Sequence, residues 1–435
     1  MNLVGLGLFV AVLGAVIVRQ VLGRGPPIWT VFGVGAVLAL LTEALSPAEA
    51  GQALLAAAPV LLFLLALFLF AAALERSGAL DHLARWLVGK ARTPESLPAV
   101  LFVGFGVASA FIVNDALILI AIPILFSVGR RLRIDPKPLL LTVAFAVTVG
   151  STLTPLGNPQ NLLVSVSSGI SAPITTFLRF LIVPVLASLV LGGWYLVRVF
   201  RRSMHAADDG YPAVRAEAPP LFPEGGWGAR LRRSPVLLLF PATLVVLIGL
   251  DVSAAALGTP DVAAWIPALI GSAIVVAASP GRAALLRSVN GRILLLFVGL
   301  FLVVATAEAA GLIAGLGAVL PIPGPSNLPG GIAGIVGTSV VGSQLVSNVP
   351  WVALQIPVLS GLGYTGAQPV AWLALAAGST LAGNVTLLGA ASNLILVERA
   401  EQLGIRIRLG EFMRYALPIA ALSIGLTWAC LAAGV

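Results

Sequence analysis

The chain has 435 residues, 59% of them hydrophobic and 10% charged, with a mean hydropathy of +1.06. A soluble domain carries about 25% charged residues, so a soluble fold is excluded, and disorder with it, because so much apolar surface demands burial. The net charge of +8 sits in a few loops, which points to membrane sidedness and away from a nucleic-acid partner.

The apolar runs are long and continuous, which excludes an outer-membrane β-barrel and predicts an all-α polytopic membrane protein of about ten transmembrane helices. Runs stand at 3–18, 28–45, 53–74, 98–127, 138–165 and 173–198, then at 235–250, 262–279, 292–317, 330–361, 366–397 and 415–434. The first lacks a basic leader, and Arg19 follows it, so it reads as a retained span. Arg and Lys fall in alternate connections, as at Arg76–Arg92, Arg130–Lys137, Arg282–Arg292 and Arg399–Arg414. The positive-inside rule places these in the cytoplasm of a cell inner (plasma) membrane, with both termini outside. Run 98–127 has basic loops on both sides and run 330–361 has uncharged loops on both sides. Each therefore reads as a re-entrant hairpin, one opening inward and one outward, with arms of ~15 residues and ~22 Å.

Blocks of the first half recur in the second. Phe68-Leu69, Glu75 and Gly78 return as Phe301-Leu302, Glu308 and Gly311; Asn114 and Pro123 as Asn348 and Pro357; Thr154, Gly157 and Asn161 as Thr386, Gly389 and Asn393. The offsets are 233, 234 and 232 residues. With five spans plus one hairpin per half, the second half must be inverted in the membrane, a construction typical of secondary transporters. The expected organisation is an N-terminal repeat at 1–200 (hairpin 98–127, broken span 138–165), a basic cytoplasmic linker at 201–234, and a C-terminal inverted repeat at 235–435 (hairpin 330–361, broken span 366–397).

Four polar clusters interrupt these runs: Asn114-Asp115, Ser347-Asn348, the stretch Ser151–Asn161 and the stretch Gly383–Asn393. Non-helical backbone at membrane depth persists only where protein or a watery cavity satisfies it. Helix restarts there suit polar oxygens, and free carbonyls with Asn or Thr side chains suit a small cation. The candidate solute-binding residues are Asn114, Thr154, Gly157, Asn158, Asn161, Ser347, Asn348, Asn384, Thr386, Gly389, Ser392 and Asn393. Two readings stand side by side for Asn114 and Asn348: starting the return arms as caps, or capping them and also touching solute. Asp115, ionisable at membrane depth, is the candidate for ion coupling, and Glu308, with no cationic neighbour in its run, is the second. The repeat-mate of Asp115 is Val349, so coupling is asymmetric. Neither a metal nor an organic cofactor is expected beyond a coupling proton or sodium ion. His82 and His205 lie in polar connections and Cys430 stands alone, which removes His, thiolate and serine-hydrolase chemistry from membrane depth. An enzyme is not expected. No Lys or Arg lies in the four clusters, which leans towards a neutral or singly charged solute.

These hairpins, Asn-bearing tips and paired Gly-x3-Asn breaks resemble the ion transporter superfamily, which includes arsenite/antimonite efflux permeases, citrate and dicarboxylate transporters, and certain sodium/proton antiporters. Asn114-Asp115 followed by Pro123 is similar to the arsenite-permease branch. Ser347-Asn348 looks like the Ser-Asn-Thr motif of sodium-coupled carboxylate transporters, with Val349 in place of the Thr. The resemblance implies an elevator-like movement and a homodimer in the lipid bilayer. The leading expectation is a proton-coupled efflux permease for a small inorganic anion or metalloid such as arsenite. A citrate-like carboxylate (organic anion) transporter, a sodium/proton antiporter and a passive channel remain open.

Overall fold

The computed structural model describes residues 2–22, 25–203 and 234–434. The basic linker lies almost wholly outside the described residues, as do Arg24 and His205. The described chain forms nineteen α-helices joined by short 3-10 turns. The first nine are α1 (Leu3–Leu22), α2 (Ile28–Leu41), α3 (Pro47–Arg76), α4 (Ala79–Lys90), α5 (Leu97–Ser109), α6 (Asn114–Leu132), α7 (Pro136–Gly150), α8 (Pro159–Ser167) and α9 (Pro173–Phe200). Beyond the linker come α10 (Val236–Leu257), α11 (Trp265–Ala278), α12 (Arg282–Ser288), α13 (Gly291–Ala309) and α14 (Leu312–Val319). The chain closes with α15 (Leu328–Val346), α16 (Asn348–Gly361), α17 (Pro369–Leu381), α18 (Ala391–Gln402) and α19 (Leu409–Ala433).

Local chemistry sets the boundaries. Ser46 and Glu49 form a reciprocal capping box ahead of α3, with Pro47 in the first helical position. Asp135 caps α7 through the Lys137 amide, and Asn158 caps α8 through the Asn161 amide, each with proline next in line. Between α3 and α4, and again between α13 and α14, the chain turns through Gly78 and Gly311, at φ +71° and +78°. Only glycine takes that conformation without a Cβ penalty, so these two turns, paired by the sequence offset, share one backbone shape.

Seven segments are long and apolar enough to cross a membrane: 47–76, 136–153, 173–200, 236–257, 291–309, 325–346 and 409–433. This is fewer than the ten spans expected, for a geometric reason. Helices α2 and α11 have 14 residues each, a rise of ~21 Å against a ~30 Å hydrocarbon core. The 366–397 run is divided into α17 and α18 by non-helical residues. The hairpin arms are also less even than expected: α5 and α16 have 13 and 14 residues, whereas α6 and α15 have 19 each.

At the centre stand α7 and α17, repeat-mates whose residues are almost all buried. The outer helices expose large apolar side chains instead, as at Val190, Val245 and Leu257, the surface a bilayer requires. Where α5 crosses α7 the backbones touch: a Cβ on Gly150 would lie 1.8 Å from the Gly106 carbonyl oxygen. The leading helices exchange partners, with α2 packed on α13 and α11 packed on α3. One further tie joins the halves. The Asp251 carboxylate of α10 accepts from the amides of Ile174 (2.9 Å) and Thr175 (2.6 Å), completing the N-terminus of α9.

Candidate functional site

Two turns meet two breaks at the middle of the bundle. After α5 the chain turns through Ala110–Val113 and restarts as α6 at Asn114. After α15 it turns on one residue, Ser347, at φ +73° and ψ +159°, and restarts at Asn348. That conformation is close to glycine-only and costs a serine about 1–3 kcal/mol. Neither Asn114 nor Asn348 makes a side-chain capping bond. The Asn114 amide nitrogen donates to the Ser151 hydroxyl at 3.1 Å. The side-chain carbonyl oxygens of both residues are buried without a partner.

The breaks follow one plan. Thr154 and Thr386 both take extended backbone, and their hydroxyls accept from the amides two residues on, Leu156 and Leu388. The Asn161 amide nitrogen donates to the carbonyls of Ser151 (3.0 Å) and Thr154 (3.1 Å). Asn393 donates likewise to Gly383 (2.7 Å) and Thr386 (3.5 Å). Each asparagine thus takes up the carbonyls that the broken helix leaves over. Gly157 and Gly389 let the chain fold back, since a Cβ would come within 2.6 Å of the Ser109 and Ser151 oxygens at the first, and within 2.7 Å of the Ala382 oxygen at the second.

A cavity of ≈ 140 Å³ lies where these parts converge. Its lining comes largely in repeat-mates. Asn114 faces it with Asn348, Thr148 with Thr380, and Pro159 with Ala391. Only the first two of these pairs are identical; Asp115 stands against Val349, Asn158 against Ala390 and Gln160 against Ser392. Ile28 of α2 and Ile293, Leu296 and Phe297 of α13 close one side. No Lys, Arg or His is among the described residues that line it. Asp115 is half-buried there, in the first turn of α6, and no described residue is hydrogen-bonded to it. The lining thus includes three asparagines and one carboxylate among its side chains, and no cation among the described residues.

Of the residues singled out from sequence, Asn114, Asp115, Asn158, Ser347, Asn348 and Ser392 border this cavity. Thr154, Asn161, Thr386 and Asn393 are placed in the breaks behind it, holding backbone, and Gly157 and Gly389 lie with them. Asn384 is buried, donating to the Phe145 carbonyl at 3.2 Å. Glu308 is exposed in the last turn of α13, on another cavity. Sequence reasoning passed over Gln160, Thr148, Thr380 and Gln344. The Thr380 hydroxyl donates to the Asn161 side-chain oxygen (2.9 Å) and accepts from Gln160 (3.2 Å) and Asn158 (3.3 Å), so it ties the first break to the last turn of α17. Gln344 accepts from Thr386 (2.7 Å) and donates to the Ala382 carbonyl (2.8 Å). The signal for Thr148 and Thr380 was present, since they are mates at the 232 offset.

Residues 15–378 match the family model described as Citrate transporter, CitMHS. An uncharacterized transporter of Mycobacterium bovis is 27% identical over 374 residues, covering 84% of each chain. A silicon efflux transporter of Oryza sativa subsp. japonica is 27% identical over 426 residues, covering 85% of this chain and 84% of that one. The crystal structure of the Alcanivorax borkumensis YdaH transporter superposes with a TM-score of 0.55 at 17% identity, over 88% of this chain and 86% of that one. That last likeness is one of fold.

Proposed function

The chain belongs to the citrate transporter family as a multi-pass secondary transporter, and from that premise we propose that its solute is a small neutral metalloid hydroxide, of the arsenite or silicic acid kind, carried with proton coupling. The observation that carries this reading is the cavity lining: the side chains of Asn114, Asn158, Asn348 and Ser392 around the Asp115 carboxylate, with no cation among the described residues that face them. A solute bearing several hydroxyls would donate to the Asp115 carboxylate and exchange hydrogen bonds with the amide and hydroxyl side chains around it. A free tricarboxylate would instead bring like charge against Asp115 in a low-dielectric pocket. The similarity to a silicon efflux transporter supports the same solute class and the outward direction.

In this reading Asp115 is the proton carrier, and Asn158 and Ser392 complete the contact surface. Residues 1–200 and 235–435 act as inverted halves of about ten spans with two re-entrant hairpins, both termini outside. The alternation of basic loops, the glycine-turned mates and the matched breaks support that arrangement. The resemblance implies a homodimer.

The test is transport into proteoliposomes under an imposed pH gradient, with arsenite, germanic acid and citrate each offered alone and citrate also with a divalent cation. Gradient-driven accumulation of the hydroxides, abolished by a protonophore, is expected. Accumulation of citrate with the hydroxides inert would overturn the reading. Crosslinking of the purified protein in lipid checks the dimer.

A further inference from the structure

A second cavity, of ≈ 190 Å³, lies along the same helices as the first. Helix α8 lines the central cavity with Pro159 and Gln160 and the second with Leu163 and Ser167. Helix α16 does so with Asn348–Pro350 and then with Ala353, Ile356 and Pro357. Helix α13 presents one continuous face, Ile293 and Phe297 to the central cavity, then Phe301, Ala305 and Glu308 to the second. In all three the order along the chain is the same, so the second cavity follows the first in one direction. Between them stand Phe297 and Phe301, one helical turn apart on α13, their ring centroids 6.1 Å from each other.

The repeat supplies an independent reason to treat the cavities as two ends of one path. The central cradle is lined by mates from both halves, yet the apolar wall that closes it comes from α13 alone among the third spans. Ile293 of that wall has Val60 of α3 as its mate at the 233 offset, and Val60 lines the second cavity. A symmetric cradle is thus seated beside one of two equivalent walls, and the other wall borders the second cavity.

We propose that the cavity at Glu308 is a second station on the solute path, opening on the membrane face opposite to that of the central cavity, with the Phe297–Phe301 pair as the barrier between them. Its lining side chains are apolar apart from the Ser167 hydroxyl and the Glu308 carboxylate, and it holds no described cation. It suits the same class of neutral, hydroxyl-bearing solute, with Glu308 accepting hydrogen bonds at the mouth. The proposal rests on the transporter reading above but not on the identity of the solute.

Cys430 is the sole cysteine of the sequence, so Cys430→Ser provides a background for single probes. Ala391→Cys reports the central cavity and Ala305→Cys the second. Each is treated with a membrane-impermeant thiol reagent in right-side-out and in inverted vesicles. The expected result is modification of each probe at least tenfold faster from one face, and from opposite faces for the two. Adding Phe297→Ala with Phe301→Ala should make Ala391→Cys reactive from both faces; Phe301→Leu alone, which keeps the bulk, should leave it one-sided. Modification of both probes from the same face, or one-sided labelling that survives loss of both rings, would overturn the proposal. No solute enters these measurements, so their failure is distinct from failure of the metalloid reading, which the transport assay decides.

Discussion

The first break and the second are built alike and furnished differently. Asn161 and Asn393 gather the same carbonyls, Thr154 and Thr386 turn the same corner, and Gly157 and Gly389 occupy the same crowded bend. What faces the cavity is not alike: Asp115 and Asn158 on one side, Val349 and Ala390 on the other. Groups that hold backbone are under the same geometric demand in both halves, since each break leaves the same orphan carbonyls. Groups that face the cavity are mixed: Asn114 and Asn348, and Thr148 and Thr380, are the same in both halves, whereas Asp115 and Asn158 have apolar mates. The asymmetry of the cavity is thus confined to a few positions.

The largest expected effect comes from erasing the asymmetry. Asp115→Val would give both tips the same residue, and Asp115→Asn would keep the shape while removing the titration. Gradient-driven accumulation in proteoliposomes should fall to background in both, with downhill exchange surviving in the Asn variant. Uphill transport by Asp115→Asn would remove Asp115 from the coupling role.

Attacking what the halves share should unfold them instead. Asn161→Ala leaves the buried Thr154 carbonyl without its donor, takes one of two donors from the Ser151 carbonyl, and leaves Thr380 without its acceptor, a loss of at least about 2 kcal/mol. Asn393→Ala should cost less, since its side-chain oxygen has no counterpart to the Thr380 bond. Thermal unfolding in detergent, followed by tryptophan fluorescence, should show that order. Equal midpoints would mean the tie through Thr380 contributes little.

Asn158→Ala copies Ala390 into the first break. It removes the cap of α8, worth about 1 kcal/mol, together with the amide donor to Ser151. A modest fall in midpoint is expected, with a several-fold rise in KM for the transported hydroxide. The smallest effect is at the tips. Ser347→Gly should raise stability by about 1 kcal/mol, because glycine adopts φ +73° freely. Val113→Gly, at φ −55°, should lower it. If both substitutions moved the midpoint the same way, the tips would not differ in strain.

Much of this was legible in the sequence, and the reasons differ by residue. Gly78 and Gly311 could be paired because a left-handed turn admits few alternatives. Asn114 and Asn348 could be found because amides are rare in long apolar runs. The division of labour among asparagines was not legible, since Asn161 and Asn114 look equally polar, and only the fold shows that one is consumed by its own break. Thr380 was hidden because a threonine in a helix ordinarily bonds back to its own turn, as Thr148 does with Ala144. Hydropathy does separate α10, which faces outward, from α7, which is enclosed by protein and markedly less apolar.

The carboxylate that finishes α9 has a consequence for biosynthesis. Ile174 and Asp251 are 77 residues apart, on opposite sides of the linker. When α9 enters the membrane its first amides lack their partner, and they keep lacking it until α10 has been translated and inserted. Assembly of the first half thus waits on the start of the second, and a gene split at the linker would deliver a first half with one helix end open until its complement arrived.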